Sequence, residues 1–126
     1  NLQNPKRDSA LIALAGPMSN MLLAILGAFV FKLLPLNSSF SLVSSGLFLF
    51  IYYNLVLCFF NLIPVHPLDG FKVVGGLLSG TIYFQWLQLE QYGIFILMGL
   101  VFTNSTSKFI YPFVNIFLTL FGLGIK

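Results

Sequence analysis

Charge is what this sequence has least of. Six basic and three acidic side chains are spread over 126 residues, so that 7% of the chain is charged against 58% hydrophobic. That is too little polar surface to cover a globule in water, and it excludes an ordinary soluble domain. A single cysteine, Cys58, excludes an internal disulfide; it sits in an apolar stretch and reads as packing. Apart from Lys6-Arg7 the basic residues stand singly. The net charge of +3 therefore reads as charges flanking a membrane, with no nucleic-acid partner.

What is present is long apolar runs. Residues 9–31, 33–68, 73–89, 91–107 and 109–125 contain no Asp, Glu, Lys or Arg, and a span needs roughly 20 mostly apolar residues. The later runs are as apolar as the first and no small-residue cleavage site closes that one, which argues against a signal peptide. The pattern predicts an all-α, polytopic transmembrane bundle of about four membrane helices in one domain, 1–126. The predicted spans are about 9–34, 42–63, 83–102 and 109–122, the last short and carrying Pro112 and Asn115. A glycine-punctuated half-helix or re-entrant piece is expected near 70–80. Residues 1–8 read as a loop leading into the first span, and the chain reads as a piece of something longer.

The second predicted span is interrupted at Pro64 and Pro67, where the lost amide donors and the restricted preceding residues disfavour regular helix through 64–69. Irregular backbone at membrane depth persists only where protein buries it or a watery cavity lines it, so 64–70 is a candidate site. Lys6-Arg7 and Lys72 put the chain's start and the proline-rich segment on the cytoplasmic side, although Lys32 and Lys108 fall on the outer side. The triplets Asn37-Ser38-Ser39 and Asn104-Ser105-Thr106 then face outward, in loops whose composition is that of turns.

Asp8 precedes the first predicted span and Glu90 lies towards the start of the third, where solvent or headgroups reach them, whereas Asp69 follows a long apolar stretch between Leu68 and Gly70. An ionisable group at that depth is costly and marks either a function or a partner. Two roles stay open, and they are compatible: a cap on the half-helix that follows, or a metal or proton-relay carboxylate. Gly16 permits close helix approach, Pro17 perturbs its helix, and Asn20 lies three residues on, near the same face. Asn54 and Asn61 share a face of the second span, with Cys58 between them, and are expected to bond across helices.

Asn61-Leu62-Ile63-Pro64-Val65-His66-Pro67-Leu68-Asp69-Gly70 resembles the Asn-x-x-Pro…Leu-Asp-Gly signature of the site-2 proteases, the membrane-embedded peptidase family M50. Upstream, Asn4-Pro5-Lys6-Arg7-Asp8 and Gly16-Pro17-Met18-Ser19-Asn20 resemble the element that precedes it in compact bacterial members, and Leu89-Glu90-Gln91-Tyr92-Gly93 extends the likeness thinly. Phe71 departs from the small or polar residue that relatives often carry there.

The resemblance implies an intramembrane zinc endopeptidase cleaving transmembrane or juxtamembrane peptide bonds in a bacterial cytoplasmic membrane. It makes Asp69 the third zinc ligand, with Asn61, Pro64, His66, Pro67, Leu68, Gly70, Gly16, Pro17 and Asn20 lining the site. The other two ligands would be the histidines of a His-Glu-x-x-His helix, a motif absent from these residues. His66 is the lone histidine and matches no ligand of the family pattern; three residues from Asp69, it either packs beside the site, supporting a ligand, or has the reach to approach the metal itself. One ligand does not hold catalytic zinc, so the 126 residues alone are expected to be inactive. The alternatives are a short non-catalytic relative that binds or regulates membrane proteins, and a small transporter with a broken helix. The expected partners are membrane lipids and a transmembrane protein substrate.

Overall fold

The structure, a computed structural model, describes residues 5–35 and 41–123, all in helices and short connections. Helix α1 (Pro5–Leu33) opens with a proline at its first position, where the missing amide hydrogen costs nothing. It begins earlier than the expected 9. It also runs on through Pro17, whose ring is fully buried, while the Ser19 hydroxyl donates to the Ala15 carbonyl at 2.8 Å. Helix α2 (Ser41–Asn61) stops three residues before Pro64, as the proline rule requires. The triplet at Asn37 lies outside the described residues.

Helix α2 returns alongside α1, and small residues set the separation. A β-carbon on Gly27 would stand 2.9 Å from Ile51 Cγ1, so α2 rests directly on the α1 backbone there. Ala24 and Ala28 from α1 then pack with Ile51 and Leu55 from α2. Helix α6 (Ser105–Leu120) contributes Ile110, Val114 and Leu118, one stripe at a spacing of four. Ile63 and Leu68 close this core from the two ends of the proline-rich segment and anchor it to the protein.

Between them lie the short helices α3 (Asp69–Leu77), α4 (Gly80–Gln88) and α5 (Gly93–Phe102), the last two separated by a 3-10 turn at Leu89–Tyr92. The expected single span over 83–102 is therefore two helices, divided at Glu90, the one acid of that stretch. The break to α6 falls at Asn104, which adopts left-handed backbone at φ 60° and lets the chain turn by 74°. Asparagine tolerates that conformation better than most residues. At the far end, Gly122 (φ 78°) donates to the Thr119 carbonyl and Leu123 to that of Leu118, ending α6 in a Schellman turn.

Large apolar side chains cover the outside, among them Leu22, Leu26, Phe29, Leu42, Phe95 and Phe102. Water would penalise such a surface and lipid would not. Among the described residues, α1 and α2 are each long and apolar enough to cross a membrane, and the bent run from Gly80 through Leu120 supplies a third span if counted as one. Among the described residues the protein is all-helical, with two to three such spans, as a membrane protein has.

Candidate functional site around Asp69

Two glycines decide where Asp69 sits. A β-carbon on Gly70 would lie 2.1 Å from the Leu62 carbonyl oxygen and 2.5 Å from that of Ile63, so no side chain fits between the start of α3 and the end of α2. A β-carbon on Gly76 would lie 2.4 Å from Ala10 Cβ, which seats the other end of α3 on the first turns of α1. Held at both points, α3 presents its first residue to the middle of α1. Asp69 Oδ2 stands 3.2 Å from where a β-carbon on Gly16 would be.

Asp69 is the first helical residue of α3, and the cap position belongs to Leu68, with no side-chain cap hydrogen bond. The expected capping role is thus not the one the carboxylate takes: one residue further into the helix, it projects towards α1. Among the described residues it forms no hydrogen bond and no ion pair, and it is half-buried. The structure thus brings Asp69 and Gly16 together, with Pro17 buried beside Gly16 and Asn20 half-buried one turn on.

The segment 64–68 folds tightly, with Val65 donating to the Ile63 carbonyl and Leu68 to that of Val65, both at 2.8 Å. Pro64 and Pro67 are exposed, Leu68 is buried in the core, and the His66-Pro67 peptide is cis. His66 faces away to another set of neighbours. Its Nδ1 lies 3.4 Å from Glu90 Oε1, its ring meets Phe71 edge-on at 5.6 Å, and its backbone rests on Gly93, where a β-carbon would come within 2.2 Å of its carbonyl oxygen.

Asn54 and Asn61 also depart from expectation. Their amide nitrogens donate within α2, to the carbonyls of Phe50 at 2.8 Å and Leu57 at 3.0 Å. In an apolar span the nearest acceptor is the carbonyl one turn back, and it satisfies the amide without a second helix.

Sequence reasoning did not single out Phe71 and Trp86 as a pair. Their rings stack at 4.8 Å and the indole donates to the Phe71 carbonyl at 2.9 Å, fastening α4 to α3. The single tryptophan of the chain was the available signal.

Chemically, Asp69 offers one or two carboxylate oxygens beside a glycine of α1. No three His, Cys, Asp or Glu side chains among the described residues cluster closely enough to enclose a metal ion. The donor chemistry therefore fits one position of a zinc site and not a whole one.

No protein-family model and no solved structure matches the chain significantly. In an alignment of 119 positions that covers 90% of its length, the chain is 32% identical to a Bacillus subtilis (strain 168) protein named "Putative zinc metalloprotease YwhC". It spans about half of that relative, 54% of its length.

Proposed function

We propose that these residues form the substrate-side, ligand-completing part of an intramembrane zinc metalloprotease of the site-2 type, family M50, in a bacterial cytoplasmic membrane. The observation that carries this reading is the contact of the Asp69 carboxylate with Gly16. It joins the Gly-Pro-x-x-Asn and Leu-Asp-Gly elements, 53 positions apart in sequence, around one unpaired acid. The likeness to a protein named as a zinc metalloprotease supports the same reading.

In this account Asp69 holds one coordination position, and residues beyond these 126 supply the histidines and the general base. Zinc, when bound, supplies Lewis acidity towards a peptide carbonyl and a lowered pKa for water. The chain's own part is positional: Gly70 and Gly76 fix α3, Gly16 leaves room at the carboxylate, and Asn61 and Asn20 line the approach. α3 is a re-entrant half-helix on the cytoplasmic side, with α4 to α6 completing a bundle of about four membrane segments. The substrate is a transmembrane segment or its juxtamembrane end.

The test is Asp69→Ala in the full-length protein, assayed on a membrane-embedded reporter peptide. Cleavage should fall at least a hundredfold; near-normal cleavage would contradict the assignment.

A further inference from the structure

A second polar feature lies outside the Asp69 site. Where α1, α3 and α4 meet, a cavity of about 150 Å³ is lined by Lys6, Ser9, Lys72, Tyr83, Trp86 and Glu90, with Gly75 and Gly76 on the α3 side. Gly75 keeps it open, since a β-carbon there would already stand 3.3 Å from Trp86 Cδ1. The indole hydrogen is used by the Phe71 carbonyl, so Trp86 is a fixed wall and not a donor to a ligand. Lys6 is held in place by the Leu78 carbonyl and by the Tyr83 ring, whose centroid is 5.2 Å from Nζ. Lys6 Nζ keeps hydrogens to spare after that bond, Lys72 is exposed and has no partner among the described residues, and Ser9 adds a hydroxyl. Glu90, the single acid of the lining, is occupied in part by His66 at 3.4 Å.

Two ammonium groups and one carboxylate leave the cavity with an excess of one positive charge. It opens at the end of the membrane helices where Lys6, Arg7 and Lys72 gather, beside a tryptophan and a tyrosine, the residue types that settle at headgroup level. We propose that this cavity binds a phosphodiester monoanion, the headgroup of an acidic phospholipid, with Lys6 and Lys72 on the phosphate oxygens and Ser9 donating to one of them. The tail lies along the exposed apolar side chains of α4, among them Ile82 and Leu87. The assignment does not need the zinc reading: it shares α3 and Gly76 with the Asp69 site but uses neither Asp69 nor Gly16 nor Asn20.

The protein is placed in phosphatidylcholine nanodiscs doped with phosphatidylglycerol, and the retained lipid is counted by native mass spectrometry. Lys72→Ala and Lys6→Ala should each lower phosphatidylglycerol retention about fivefold, the effect of one basic residue near an anionic headgroup. Gly75→Val, which narrows the cavity without changing charge, should lower it as well. Lys108→Ala removes the same charge elsewhere and should leave retention unchanged. Millimolar inorganic phosphate should not displace the lipid; displacement would assign the site to a soluble phosphate and overturn the lipid. Equal losses in Lys72→Ala and Lys108→Ala would overturn the site itself. Lys72 is exposed, so its variant keeps the test decisive should Gly75→Val fail to fold.

Discussion

Asp69 Oδ2 stands 3.2 Å from the point where Gly16 would carry a β-carbon. The acid at the first position of α3 is thereby set against the one place in the middle of α1 with no side chain to push it aside. A carboxylate that neither caps its helix nor pairs with a cation among the described residues is left open to an ion, as the metal-ligand reading requires.

Enlarging Gly16 should therefore act through Asp69. Gly16→Ala places a methyl in tight contact with the carboxylate, and Gly16→Val cannot avoid moving it. Full-length enzyme carrying Gly16→Ala is expected to lose about tenfold in cleavage, and Gly16→Val a hundredfold or more, with little change in melting temperature. The comparison of activity with thermal denaturation separates this from a general packing defect.

Gly70 has a different task, and its replacement should cost stability. The added methyl would overlap the backbone of Leu62 and Ile63, which cannot yield as a flexible side chain would. Gly70→Ala should destabilise the protein by about 3 kcal/mol or more, read as low yield and a lowered melting temperature in detergent.

How much of this the amino-acid pattern discloses depends on the residue. Apolar runs and Pro64 locate α1, α2 and the irregular segment to within a few residues, because lipid and proline impose simple rules. The division of 83–102 into two helices was marked only by the polar residues Gln88, Glu90 and Gln91, across which the expected span was drawn. The contact of Gly16 with Asp69 was not legible. Periodicity puts a residue on a face of its own helix, whereas the seating of α3 on α1 depends on Gly70 and Gly76 being unable to hold a side chain. Asn54 and Asn61 show the limit from the other side: an intramembrane amide needs a partner, and sequence does not say that its own helix supplies it.

His66 should prove dispensable for metal. Its contacts run to Glu90, Phe71 and Gly93, and the partly exposed His66–Glu90 pair contributes less than about 1 kcal/mol. His66→Ala in the full-length protein should retain zinc at the wild-type stoichiometry, whereas zinc loss would make it a ligand.

Asn104 holds the turn between α5 and α6 in left-handed backbone. Asn104→Gly should leave the melting temperature nearly unchanged. Asn104→Ala should cost about 1 kcal/mol, because alanine lacks the short polar side chain that lets asparagine tolerate left-handed backbone, and equal stability of the two would show that the turn does not need that conformation.

Whether Asp69 holds metal is read from the zinc content of purified full-length protein, with Asp69→Ala and Glu90→Gln compared side by side. One zinc is expected per wild-type and Glu90→Gln molecule, with a loss of at least nine-tenths of it in folded Asp69→Ala. Wild-type zinc content in folded Asp69→Ala would contradict the claim that Asp69 is a metal ligand.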